Sequence, residues 1–151
     1  MQLNILGPPE LLGEARRVSV QPQLWCVLIS LILVPGAPIS IDIIIDHLWG
    51  SDPPPKARST IRSYIWRLER ALSEAAGAEM RIARRGQGYA LELEPLVVDL
   101  HRSRAIRQRA ATLAERGERR RALIVLRQAE SLWYGVPVAG LANEWIGGVR
   151  L

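Results

Sequence analysis

A chain of 151 residues, 48% of them hydrophobic, suits one compact domain, or one small domain and part of another. Its formal net charge is +5. With Cys26 as the only cysteine, an intramolecular disulfide framework is excluded, and a reducing cytoplasm is the simplest setting. Leu3 to Leu6, Leu11-Leu12 and Arg17 to Val20 read as short β-type runs, broken at Gly7-Pro8-Pro9 and Gly13-Glu14. Leu24 to Val34 reads as a largely apolar helix with Pro22 placed to start it; Pro35-Gly36 stops it, and the run is too short to span a bilayer, which takes about 20 residues. Arg16-Arg17 before that run and Pro35-Gly36-Ala37 after it raise a twin-arginine export signal as an alternative. The β-type Arg17-Val18-Ser19-Val20 and the placement of Pro22 favour the cytosol instead.

A second helix is expected over Ile41 to Trp49, capped by Ser40, ended by Gly50 and apolar along Ile41, Ile44, Ile45 and Leu48. Asp52-Pro53-Pro54-Pro55 is a stiff connector to a third helix, which spans 57–76. On 3.6 residues per turn its Ile61, Ile65, Leu68 and Leu72 form one stripe, while Ser59, Ser63, Trp66 and Arg70 fall opposite. Arg58, Arg62 and Arg67 lie along the flanks. Two strands within 81–93 follow, joined at Gly86-Gln87-Gly88, with Tyr89 and Leu91 anchoring the second strand to the core. Strands, three helices and a hairpin make an α+β fold: a winged helix-turn-helix with N-terminal β-strands, its third helix in the recognition position. Beyond Pro95, Asp99 to Gly117 and Glu118 to Tyr134 read as an αα-hairpin of tetratricopeptide type. Ala110, Leu113 and Ala114 are expected to face Ala122, Val125, Leu126 and Ala129. Another helix begins near Asn143-Glu144-Trp145. One hairpin cannot bury its own face, so this α-helical part reads as incomplete. The expected division is 1–94 and 95–151.

Lys56 to Gly88 carries eight Arg or Lys against three acids, whereas residues 1–55 carry Arg16 and Arg17 against five acids. The positive field therefore gathers on the third helix and the hairpin, as expected of a footprint on nucleic acid. Arg62, Ser63, Trp66 and Arg70 are the candidates to approach base edges. Ser59 and Thr60, near the helix N-terminus, suit phosphate, as do Arg58 and Arg67. Arg84 and Arg85, at the hairpin tip, suit a narrow minor groove. A solvated basic face is the plainer alternative for each of these arginines. The hairpin beside the helix favours DNA.

With those residues placed, the sequence resembles the Streptomyces antibiotic regulatory protein (SARP) family. The resemblance rests on LNILGPPELL, the block PISIDIIIDHLWGSDPPPKARSTIRSYIWRLERAL, the hairpin IARRGQGYALEL, the junction VDLHR and LRQAESLWYGVPVAGL. It implies an OmpR-type winged helix joined to a bacterial transcriptional activator domain. It further implies binding to direct repeats in promoter DNA, room for a second copy on that DNA, and contact with RNA polymerase holoenzyme to activate transcription, often of antibiotic biosynthesis genes. Three positions depart from the family pattern. Gln23-Leu24-Trp25 stands where a polar triplet is usual, Trp66 where a small polar residue is usual, and Glu69 where a base is frequent.

Catalysis finds no support. His47 and His101 sit in no Ser-His-Asp arrangement, and one cysteine with two histidines supplies no zinc site, so neither metal nor cofactor is expected. Asp46-His47 reads as helix surface and Asp99-Leu100-His101 as a helix start. The competing function is a winged-helix module that holds an acidic protein partner, with Trp133-Tyr134 adding apolar surface. A response regulator's output domain is disfavoured because no receiver domain precedes Met1.

Overall fold

The computed structural model describes residues 1–14, 16–76 and 80–149. Its elements are those of a mixed α and β fold. The three N-terminal runs form an antiparallel sheet of their own, ordered β1 (Gln2–Asn4), β2 (Glu10–Leu12), β3 (Arg17–Val18). Arg17 thus lies in a strand, paired with Leu12. Helix α1 (Pro22–Ile32) follows, and every residue from Leu24 to Ile32 is buried. A helix apolar on all sides is stable only when neighbours cover all sides. Here α2 (Ile41–Trp49) and α3 (Ala57–Ala76) pack against it, with the hairpin closing the layer. The Cys26 thiol, inside this core, is pushed up to about 11 by burial, which keeps it protonated and unreactive.

Ser40 caps α2 by accepting from the Ile43 amide, and Gly50 ends it with a positive φ of 55°. In α3 the expected stripe is the buried one: Ile61, Leu68 and Leu72 are fully buried and Ile65 nearly so. Each such side chain contributes on the order of 1.5–3 kcal/mol. Tyr64 sits half-buried at the edge of the stripe, stacked near Trp49.

A short strand absent from the sequence reading, β4 (Ile39–Ser40), pairs with the second hairpin strand, so the sheet runs β4, β6 (Gly88–Glu92), β5 (Arg81–Arg85). Gly88 consequently belongs to a strand rather than to the turn. A Cβ there would sit 1.9 Å from the Ile39 carbonyl oxygen, so only glycine lets the two strands approach. Gly86, with φ 58°, makes the turn. Tyr89 and Leu91 are buried in the core, as expected, and so is Ala90 between them.

A 3-10 turn (Pro95–Val97) leads into α4 (Asp99–Glu115) and α5 (Arg119–Glu130), which pack as a hairpin. Ala110, Ala122, Val125 and Ala129 are buried between them, but Leu126 is 38% exposed and Ala114 is exposed. Helix α5 ends four residues before the expected Tyr134 because the chain turns back to the N-terminal strands. The Tyr134 and Val138 amides donate to the carbonyls of Leu6 and Ile5, and the Tyr134 hydroxyl donates to Pro8 O at 2.8 Å. Val98, Leu100, Val138 and Ile146 join the same buried cluster as α1 and α3. The helical part and the winged part therefore share one core.

His47 is not on an open helix surface. Its ring stacks on Trp145 of α6 (Glu144–Gly148) at 3.9 Å and 11°, and its Nδ1 lies 3.0 Å from Ser30 Oγ. Asn143 caps α6 and donates to the carbonyls of His47 and Leu48. Only the return of a segment some 95 residues away creates this clasp. Burial pushes the His47 imidazole below its ordinary 6.5, against the pull of Asp46. The unfolded chain then binds this proton more tightly than the folded one. Stability present above pH 6.5 is lost as pH falls toward the folded value. His101 shifts in the same direction. In His47→Phe, which keeps a ring on Trp145, the loss of stability on acidification should be smaller than in the parent chain. Urea unfolding at pH near 7.5 and 5.5 reads this, and an equal loss in both proteins would remove His47 from the pH dependence.

Candidate nucleic-acid interface

Because Ile61, Ile65, Leu68 and Leu72 hold α3 to the core, its opposite side is fixed outward. Arg58, Ser59, Arg62, Ser63, Trp66, Arg67 and Arg70 are all exposed, and Thr60 is half-buried at the edge. Trp66 is 57% exposed, unusual for an indole, and the Arg70 guanidinium lies over its ring at 5.1 Å. That cation–π contact orients a planar fork of donors on the outer face before any ligand arrives. At the helix start the hydroxyls fold back: Ser59 and Thr60 both donate to the Lys56 carbonyl, and Ser63 donates to Ser59 O. Their lone pairs remain available, but their protons are occupied.

The arginines divide into two groups. Arg58 forks onto both oxygens of Asp42 at 2.6 and 2.7 Å, tying the start of α3 to α2. Arg85 and Arg81 both bond Glu92 across the hairpin, and these bonds, Arg85 first, hold the Glu92 carboxyl below the usual range. These pairs are exposed on the arginine side, so solvent leaves them weak and exchangeable. Among the described residues Arg62, Arg67, Arg70 and Arg84 form no ion pair. Arg85 lies at the hairpin tip, as its place before Gly86 predicts, but its pairing with Glu92 and that of Arg58 with Asp42 are not among the expectations. Counting the hairpin register outward from Gly86-Gln87 would have placed Arg81 opposite Glu92, where the structure has it.

The remaining chemistry is sparse. No group of three or more His, Cys, Asp or Glu suited to a metal exists among the described residues. No helix among them is long and apolar enough to cross a membrane.

A basic helix on a three-helix core beside a twisted hairpin defines an OmpR-type winged helix, a DNA-binding class. The family model described as "Transcriptional regulatory protein, C terminal" matches residues 15–91. The chain belongs to that family of DNA-binding transcription regulators, and its relatives place it with the Streptomyces antibiotic regulatory proteins. It is 31% identical over 144 residues to regulatory protein DnrI of Streptomyces peucetius, covering 89% of this chain and 52% of that protein. Over 151 residues it is 28% identical to regulatory protein AfsR of Streptomyces griseus, covering 99% of this chain and 15% of that one. The chain thus spans about half of DnrI and a small part of AfsR. Mycobacterium tuberculosis EmbR, solved in complex with a low-affinity phosphopeptide, superposes with a TM-score of 0.84 at 27% identity, over 93% of this chain and 38% of that one.

Proposed function

We propose that this chain reads promoter DNA through α3 and the β5–β6 wing, as the DNA-binding part of a transcriptional activator. The observation that carries the reading is the outward face of α3, where Arg62, Ser63 and the Arg70–Trp66 pair stand opposite a fully buried stripe. A helix so held presents side chains to the major groove with their register already set. Arg62, Ser63, Trp66 and Arg70 approach base edges; Arg58, Ser59, Thr60 and Arg67 meet phosphates; Arg84 and Arg85 follow the adjacent backbone or minor groove. On binding, Arg58 and Arg85 exchange Asp42 and Glu92 for phosphate, and the Ser59 and Thr60 hydroxyls turn from the Lys56 carbonyl to donate to phosphate. Residues 1–94 form the DNA-binding domain, and 95–151 the N-terminal part of a bacterial transcriptional activator domain. The operator consists of direct repeats, with a second copy meeting the first on DNA, and activation proceeds by contact with RNA polymerase holoenzyme in the cytoplasm. The names of the relatives support this reading, since all are regulatory proteins.

The wing is tested by salt. Arg84→Ala should weaken binding to all duplexes alike and lower the slope of log K against log salt by roughly one. Fluorescence titration across a salt series measures it, and an unchanged slope would remove Arg84 from the interface. Activation is tested by run-off transcription on a template carrying the bound repeats, with the regulator in its full length. More transcript is expected on repeats than on scrambled DNA, and equal transcript would contradict the activator role.

A further inference from the structure

The last four carbonyls of an α-helix find no partner inside it. In α2 they belong to Asp46, His47, Leu48 and Trp49. The Gly50 amide donates to the first at 2.7 Å, and the Asp52 amide to the last at 3.2 Å. One distant side chain serves the middle two: Asn143 Nδ2 donates to His47 O at 3.2 Å and to Leu48 O at 3.3 Å. A carboxamide nitrogen carries two protons, and both are used here. The carboxamide oxygen accepts from the Ile146 amide at 2.9 Å, which caps α6. Trp145 then stacks on the His47 ring at 3.9 Å. The end of α2 is closed by α6 as much as by its own chain.

The end of α2 in turn bears on α3. Trp49, the last residue of α2, stacks near Tyr64 of α3 with ring centroids 6.5 Å apart and planes at 29°. Tyr64 stands in sequence between Arg62-Ser63 and Trp66, so its seat sets where that part of the outer face points. At the start of α3, Arg58 bonds Asp42 of α2. Between the two helices Pro53-Pro54-Pro55 form a stiff link, so a shift at the end of α2 is carried to α3 rather than absorbed. Bonds to base edges need their donors at fixed positions, whereas attraction to phosphates tolerates a tilt.

We propose that Asn143 and Trp145 are positioning residues for DNA reading. They fix the end of α2, and through Trp49 and Tyr64 the pose of α3, so that the helical part sets how sharply the winged part discriminates between sequences. This role rests on the reading of α3 as the helix that meets base edges.

The test is the ratio of affinities for a selected duplex and a scrambled one, because partial unfolding lowers both alike and leaves their ratio unchanged. Asn143→Ser keeps a cap for α6 but removes both donors to α2. It should weaken binding to the selected duplex roughly three- to tenfold, the size of one hydrogen bond, with the scrambled duplex unaffected. Trp145→Ala should act in the same direction, and Trp145→Phe, which keeps a ring on His47, should recover most of the ratio. Amide hydrogen exchange in Asn143→Ser should quicken at Gly50 and from Arg62 to Trp66 while α5 stays as it was. An unchanged ratio in both Asn143→Ser and Trp145→Ala, beside a parent chain that discriminates, would overturn the positioning role and leave the DNA reading standing. Faster exchange confined to the end of α2 would overturn the path to α3. A parent chain that binds both duplexes equally would overturn the DNA reading, and this role with it.

Discussion

Asp99→Ala should lower folding stability by roughly 3–5 kcal/mol, more than any surface change in this chain. The carboxylate is 1% exposed and is the meeting point of the two parts of the molecule. The Ile5 amide donates to both of its oxygens at 2.9 Å, the Leu6 amide to Oδ2 at 2.9 Å, and the Leu100 amide to Oδ1 at 2.7 Å. Burial drives this acid's pKa up, and the three amides, Leu6 first, oppose it. Alanine would strand all three N–H groups. Each orphaned donor costs about 1–3 kcal/mol, and water entering the space returns part of that. Asp99→Asn should fall between, since one amide oxygen still accepts while the NH2 group faces a donor. Urea unfolding monitored by tryptophan fluorescence reads the change. A loss below about 1 kcal/mol for Asp99→Ala would show that the N-terminal segment and α4 hold together without this acid.

If α3 reads DNA as proposed, the largest effects on binding are expected at Arg62 and Arg70. Either arginine changed to alanine should cost about 1–3 kcal/mol on the cognate sequence and relax preference at one base position. Arg70 carries a further dependence, because the Trp66 ring beneath it restricts where its guanidinium points. Trp66→Ser should therefore reproduce much of the Arg70→Ala loss on cognate DNA while barely changing the weak, sequence-independent binding. Trp66→Phe, which retains a ring face, should recover part of the preference. Titrations on cognate and scrambled duplexes separate these cases. Unchanged affinity and base preference in Trp66→Ser would leave the indole with no part in reading. Unchanged affinity in both arginine variants would sink the assignment of the whole face.

What could be read in advance was what neighbours in sequence determine. Ser40 and Gly50 bracket α2 because a cap and a stop act within one turn. The period of Ile61, Ile65, Leu68 and Leu72 gave both the length of α3 and its buried side, and so which arginines face outward. The features that escaped depend on distant partners. Strand β4 is two residues long and exists only because Gly88 allows it close. His47 looks like surface until α6 returns to cover it, and α5 stops early because Tyr134 is drawn to Pro8. Asp99 read as a helix start, which is correct, but its second role as acceptor for Ile5 and Leu6 spans more than ninety residues. Glu92 escaped for a different reason. Its pairing with Arg81 was available from the hairpin register, but an acid beside a basic wing reads as mere dilution of charge until its geometry is seen.

Selection of bound sequences from a pool of random duplex DNA at physiological salt, followed by titration of the selected sequence against a scrambled control, tests the central claim most directly. A recurrent short motif, present as a direct repeat and bound at least ~10³-fold more tightly than the control, is the expected result. Weak binding, equal for every sequence and lost with salt, would contradict it. The basic face of α3 would then be an electrostatic surface, and an acidic protein partner would become the better occupant.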